Sequence, residues 1–88
     1  MSRQVAVDEA VQVEARMLLS GEVVVKAFDW QGSRHYVTAH GRRWEERTEG
    51  GRLRCFLVQT QDLSSFELRW DPAGDEWRLH QAWLANLV

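Results

Sequence analysis

Apolar and polar residues alternate in short stretches, separated by turns, through most of this 88-residue chain. Most of the six glycines and the single proline fall between these stretches, where turn conformations are needed. When apolar residues recur at every second position, one face of an extended segment lies against the core and the other face lies in water. The pattern therefore predicts a domain built of short β-strands.

Four stretches show the pattern most clearly. Residues 23–30 form the first, and residues 34–40 return after a turn at Gly32 as the second arm of a hairpin. Residues 53–60 are apolar on both faces at their centre, which is typical of an internal strand covered on both sides. Residues 66–83 alternate around a turn at 71–75, which places Trp70 and Trp77 opposite each other as a cross-strand pair.

Two further segments need interpretation. Residues 8–19 fit either a strand or a helix capped by Asp8, and the β-branched Val11 and Val13 favour the strand. Gly41 is expected to mark a bulge or bend, after which Trp44 extends the pairing of the second hairpin arm.

Together these segments predict an all-β domain, a small antiparallel meander of five to six strands. A sheet this small must bend to cover its own apolar face, so we expect a rolled sheet or a small barrel. One domain should span residues 1–88. Residues 1–10 and 84–88 lie outside the clear pattern and are expected to fray.

The lone cysteine, Cys55, excludes an intrachain disulfide and is typical of a reducing compartment. No apolar run approaches the roughly 20 residues that a membrane span needs. The first residues also lack the apolar core of a signal peptide. We therefore expect a cytoplasmic protein that makes no membrane contact.

A spaced set of aromatic and apolar residues runs through the predicted strands. Its members are Phe28, Trp30, Gly32, Tyr36, Val37, Trp44, Phe56, Leu57, Val58, Thr60, Phe66, Glu67, Leu68, Trp70, Asp71, Trp77 and Leu79. This set resembles a group of small bacterial domains of unknown function, some of them linked with DNA-damage polymerase systems. The resemblance implies an all-β fold and a connection with DNA repair, and it brings no catalytic residue with it.

Charge is unevenly distributed along the chain. The net charge of −2 argues against a general attraction to nucleic acid or anionic lipid. Residues 34–54 nevertheless carry six arginines against three glutamates. Trp44 lies within this basic segment and has no apolar neighbour in sequence, so it is either a core residue or an exposed residue that stacks against a partner.

No pattern in the sequence indicates catalysis. There is no glycine-rich phosphate loop and no nucleophile elbow. His35 and His40 are five residues apart and would face opposite sides of a straight strand, so their spacing forms no metal-ligand pair. Cys55 lies in an apolar strand, where an inert thiol is expected. We expect no enzyme activity, no metal and no cofactor.

The sequence thus predicts a non-enzymatic binding domain, most simply one that binds a protein. Aromatic residues and arginine are enriched at binding hot spots. The candidate surface comprises Tyr36, Arg42, Arg43, Trp44 and Trp83.

Two alternatives stay open. The domain could be a single-stranded nucleic-acid-binding accessory domain linked to DNA repair, with arginines and Trp44 holding the strand. It could also be a self-associating domain, a homodimer in which an open strand edge pairs with a second copy.

Overall fold

A computed structural model describes residues 2–85, which form seven strands and no helix. The strands are β1 (Ser2–Ala10), β2 (Gln12–Met17), β3 (Val23–Trp30), β4 (Ser33–Thr48), β5 (Gly51–Thr60), β6 (Ser65–Asp71) and β7 (Glu76–Ala85). The all-β prediction is confirmed, with seven strands where the sequence predicted five or six. No segment between residues 2 and 85 forms a helix that could span a membrane.

All seven strands pair antiparallel in one sheet, in the order β1-β7-β6-β5-β4-β3-β2. The two edge strands, β1 and β2, follow each other in the chain and are separated only by Val11. The N-terminal stretch therefore borders both ends of the sheet. No ladder joins β1 to β2 among the described strands, so the sheet is not closed into a barrel. Of the two expected forms, a rolled sheet or a small barrel, the structure is therefore an open sheet and not a barrel.

β1 is the strand that the sequence pattern missed. Residues 2–10, which we expected to fray, pair with β7 from Ser2 opposite Ala85 to Ala10 opposite Arg78. The ladder shifts register between Ala6 and Glu9, where Asp8 has a positive φ of 53°. Of the C-terminal residues expected to fray, 84 and 85 belong to β7, and 86–88 lie outside the described residues.

β2 confirms the strand interpretation of residues 8–19. It pairs with β3 and ends in a tight turn, in which the Leu18 amide donates to the Glu22 carbonyl at 2.8 Å. The Gly21 amide donates to the Leu18 carbonyl at 2.9 Å, and Gly21 has a φ of 90° that suits glycine. Val13 of β2 thereby packs against the core face to which Val23 and Val25 of β3 belong.

The core lies on the concave side of the rolled sheet. It is aromatic at its centre, where the Phe66 ring packs edge-on against Phe28 at 4.9 Å and Trp30 at 5.9 Å between ring centroids. The predicted pair of Trp70 and Trp77 is confirmed, with their rings stacked at 5.6 Å. The buried core residues are Val23, Val25, Phe28, Trp30, Phe56, Val58, Phe66, Leu68, Leu79 and Ala82.

β4 is 16 residues long because it serves two neighbours. Its first four residues pair with β3, and the rest pair with β5. Two register shifts bend it, one near Thr38 and one between His40 and Arg43, which confirms the bulge expected at Gly41. The first shift places His40 on the core side of the sheet, opposite Val58. Because His35 also stacks in the core, against Phe28, the expectation that the two histidines face opposite sides was wrong.

β3 and β4 separate beyond residues 33–36, the four residues of β4 that pair with β3. Side chains span the gap between the two strands, which we call the split. Three basic side chains reach backbone groups at alternate positions along β3 and the turn before it. His40 reaches Val25 and Arg43 reaches Val23 of β3, and Arg54 of β5 reaches Gly21 in the turn. The Val25 amide donates to His40 Nε2 at 3.1 Å. Burial lowers the pKa of His40, which keeps the ring neutral and able to accept this bond at pH 7.

Candidate functional site

Trp44 lies on the convex side of the sheet, which we call the outer face. It pairs with Cys55 of β5, whereas its neighbour Arg43 pairs with the core residue Phe56. Because successive residues of a strand point to opposite faces, Trp44 points away from the core and Arg43 toward it. Trp44 is half-buried and lies outside the core cluster. It is therefore a surface aromatic residue with one part of its ring accessible.

Arg42 covers the Trp44 ring. Its guanidinium carbon lies 4.9 Å from the ring centroid, within the range of a cation–π interaction. Arg42 occupies the second bulge of β4, which frees its side chain from the regular alternation. Among residues 2–85, Arg42 forms no salt bridge. No carboxylate of the described residues therefore neutralises its charge.

The indole of Trp44 is fixed by a chain of polar side chains that crosses the outer face, which we call the polar row. Its members are Trp44, Glu46, Arg69, Glu67, Gln81 and Gln4. Trp44 Nε1 donates to Glu46 Oε1 at 3.2 Å, and Arg69 Nη1 holds the other Glu46 oxygen at 3.1 Å. The row thereby fixes the orientation of the Trp44 indole.

Arg69 is the centre of the polar row. Its Nε donates to Glu67 Oε2 at 2.9 Å, and the Glu67 side chain is only 7% exposed. Burial alone would lower the pKa of Arg69, but the hydrogen bond and charge of Glu67, with the charge of Glu46, raise it above its usual value. Gln81 Nε2 completes the coordination of Glu67 at 3.0 Å. Both oxygens of the buried carboxylate are therefore paired.

The other residues of the predicted surface lie elsewhere. Tyr36 is exposed at the far end of β4, where Arg34 lies 5.7 Å from its ring centroid. Arg43 binds the Glu22 carboxylate at 3.3 Å on the core side of β4. Trp83 shares the outer face with Trp44 but is separated from it by β5 and β6. The structure brings together only Arg42 and Trp44.

Most of the positive charge between residues 34 and 54 is engaged within the domain. Arg34 pairs with Asp29 and Glu14, and Arg52 pairs with Glu45. Arg54 donates to the Gly21 carbonyl. The basic segment seen in the sequence therefore does not form a continuous positive surface.

Cys55 lies beneath the polar row and is 1% exposed. Burial raises the pKa of its thiol to about 11, and the charge of nearby Arg69 acts in the opposite direction. The thiol is therefore protonated and shielded near neutral pH, which is the inert state expected from the sequence.

The raised thiol pKa gives a testable pH dependence. Between the usual pKa of 9.0 and about 11, the unfolded chain loses the Cys55 proton while the folded chain keeps it. The folded state then binds more protons, so the free energy of unfolding falls as pH rises through this range. In urea titrations, Cys55→Ala should lose less stability over this range than the native protein. An identical loss would show that other groups account for the effect.

A groove of about 610 Å³ opens between β2 and the β6–β7 hairpin. Val13 and Met17 line one side, and Trp70 and Trp77 line the other. The sequence did not reveal it, because its walls come from distant strands. The local sequence feature that indicates an apolar surface here is the run of three apolar residues at 17–19, near the β2–β3 turn. In the structure, the Met17 side chain is 58% exposed and Leu19 is 110% exposed.

Between residues 2 and 85, no group of His, Cys, Asp and Glu side chains is arranged to hold a metal ion. The chain matches no protein-family model, no curated protein and no solved structure. The resemblance suggested by the aromatic spacing therefore stays a prediction.

Proposed function

We propose that this domain is a non-enzymatic binding module that contacts a partner protein through Trp44 and Arg42. One observation carries the proposal: a half-buried indole on the outer face, with the Arg42 guanidinium stacked on it at 4.9 Å and in no salt bridge with any residue between 2 and 85. Tryptophan and arginine are the side chains most enriched at protein hot spots. Tyr36, Arg43 and Trp83, also expected from the sequence, would lie at most on the margin of this contact.

The polar row supports the same proposal. A side chain already held in its bound rotamer loses less conformational entropy on association. The hydrogen bond from Trp44 Nε1 to Glu46, itself fixed by Arg69, holds the indole in this way. A depression of about 200 Å³ between Trp44 and Arg54 gives a partner side chain a place beside the ring.

Charge favours a protein over a nucleic acid as the partner. Nucleic-acid affinity depends on several unpaired cations along a groove. Around Trp44, Glu46 accepts the indole N–H and pairs with Arg69, and Arg43 is turned to the core side, where it pairs with Glu22. A single guanidinium stacked on the ring, with the Glu46 carboxylate at the indole nitrogen, suits a mixed-charge protein surface better than a phosphate backbone.

Trp44→Ala should weaken partner binding while lowering the free energy of unfolding by only about 1 kcal/mol, since Trp44 lies outside the core. Urea denaturation measures the second quantity. A loss of about 3 kcal/mol or more, the range for a core tryptophan, would make Trp44 structural and contradict the proposal.

The interaction can be tested with a photo-crosslinking amino acid at position 48, in the cells that naturally produce the protein. Thr48 is exposed on the same face of β4 as Trp44, and replacing it leaves Arg42 and Trp44 intact. We expect a discrete protein adduct at position 48 that disappears in the Trp44→Ala background. Position 63 is the matched control, because Leu63 is 70% exposed in the turn between β5 and β6. The same adducts at both positions, or none at position 48, would refute a specific contact there.

Fluorescence polarisation with labelled single-stranded and double-stranded oligonucleotides tests the competing interpretation. We expect no saturable binding at low salt, where charge attraction is least screened. Single-strand binding that weakens with salt and is lost in Trp44→Ala would instead make this surface a nucleic-acid interface.

A further inference from the structure

β2 is an edge strand with a free side. It is hydrogen-bonded to β3 on one side only, and its other side faces the groove toward Trp77. Unpaired backbone groups on such an edge are a template for another strand. The direction of the backbone groups of β2 and the charges of its side chains determine which strand can pair with this edge.

The hydrogen bonds at the two ends of β2 fix which backbone groups are free. The Leu18 amide points toward β3, because it donates to the Glu22 carbonyl, and the Val11 amide points away, because it donates to the Trp77 carbonyl. Backbone groups alternate in direction along a strand. The N–H and C=O groups of Val13, Ala15 and Met17 therefore point to the free side.

These three residues are arranged to pair with their own copy. In an antiparallel pair of two β2 strands about a two-fold axis at Ala15, Ala15 lies opposite Ala15 of the second copy. Val13 then lies opposite Met17 in each direction. In this register, each residue with free backbone groups forms a hydrogen-bonded pair with a residue of the second copy.

The side chains agree with the same register. Glu14 lies opposite Arg16 of the second copy, and Arg16 opposite Glu14, at positions without backbone bonds, where cross-strand side chains are closest. Both residues are exposed, and Arg16 forms no salt bridge among the described residues. On the other face, Val13 meets Met17, a side chain that is 58% exposed in the single chain.

We infer that this chain forms a homodimer in which two β2 strands pair antiparallel about Ala15. The occupant is a second copy because the charges at Glu14 and Arg16 are self-complementary in the one register that pairs all the free backbone groups. The groove of about 610 Å³ beside β2 leaves room for the incoming strand. This interface is separate from Trp44 and does not depend on the proposed function.

Exchanging the charges tests this register. Arg16→Glu places glutamate opposite glutamate twice, and Glu14→Arg places arginine opposite arginine twice. Each variant alone should raise the dimer dissociation constant about tenfold or more, measured by sedimentation equilibrium. An equimolar mixture of the two should restore dimers, because each contact then joins unlike charges. Trp44→Ala should dimerise like the native protein.

A backbone variant keeps the test independent of charge and of the Glu14 contact with Arg34. Ala15→Pro removes an amide that β3 does not use, so it should abolish the dimer while thermal unfolding remains cooperative. A native protein that sediments as a monomer at all concentrations would overturn the inference. So would a dimer that neither charge variant weakens.

Discussion

Replacement of Phe66 by alanine is expected to lower the free energy of unfolding by about 3 to 5 kcal/mol. Phe66 is 1% exposed and contacts three rings, those of Phe28, Trp30 and His35, with centroids 4.9 to 5.9 Å away. Removing it deletes a large apolar surface and leaves a cavity that a rolled sheet cannot close without breaking ladders. Domains are stable by only about 5 to 15 kcal/mol, so the loss is a large part of the total.

Urea denaturation followed by tryptophan fluorescence measures this loss. Leu63→Ala is the control, because Leu63 lies three residues away and is 70% exposed. Its stability should change by less than about 0.5 kcal/mol. If the two variants lost similar amounts, the aromatic cluster around Phe66 would not be the centre of the core.

Replacement of Arg69 by methionine is expected to cost about 2 to 3 kcal/mol. The substitution keeps much of the side-chain volume but leaves the Glu67 carboxylate, 7% exposed, without its cation. A buried charge without a partner is more costly than the ion pair is favourable. Glu46 would lose the same cation, and Trp44 would lose the anchor of its hydrogen-bond acceptor.

Arg78 provides a matched control on the same face. It lies directly opposite Arg69 in the β6–β7 ladder and pairs with Asp8, but these two side chains are 48% and 72% exposed. Arg78→Met should therefore cost less than about 0.5 kcal/mol.

The double variant Arg69→Met, Glu67→Gln tests the mechanism. It should recover part of the loss, because the uncompensated charge is removed with its partner. If Arg69→Met were harmless, or if the double variant were worse than the single one, burial of Glu67 would not be the cause.

Local sequence patterns were sufficient for the strands that turn back on their neighbours. The Pro72 and Gly74 turn sets the spacing of Trp70 and Trp77, so their contact follows from the sequence alone. β1 could not be recognised in this way. Its alternation at Val5 and Val7 is short, and its partner β7 lies at the other end of the chain.

The sequence predicted the contacts of the candidate site only where the residues involved are close together in the chain. Arg42 and Trp44 are two residues apart, and their contact is a property of one strand. Arg43 was expected on the same surface, but the bulge before it and its pairing with Phe56 turn it toward the core side. Trp83 pairs with Gln4 of β1 and Ser65 of β6, and Arg43 pairs with Glu22 from the turn before β3, and no local pattern specifies these contacts.

The split between β3 and β4 divides the domain into parts that should differ in their exchange of amide hydrogen for deuterium. Past Ala27, the tip of the β2–β3 hairpin has no ladder with β4, and it is held by the side chains of His40 and Arg43 from β4 and of Arg54 from β5. On its other side, β2 has no ladder with β7. In the monomer, amides of the tip should therefore exchange through a local opening that leaves β5 to β7 protected. The backbone hydrogen bonds of the hairpin tip would open transiently while those of the remaining strands stay formed.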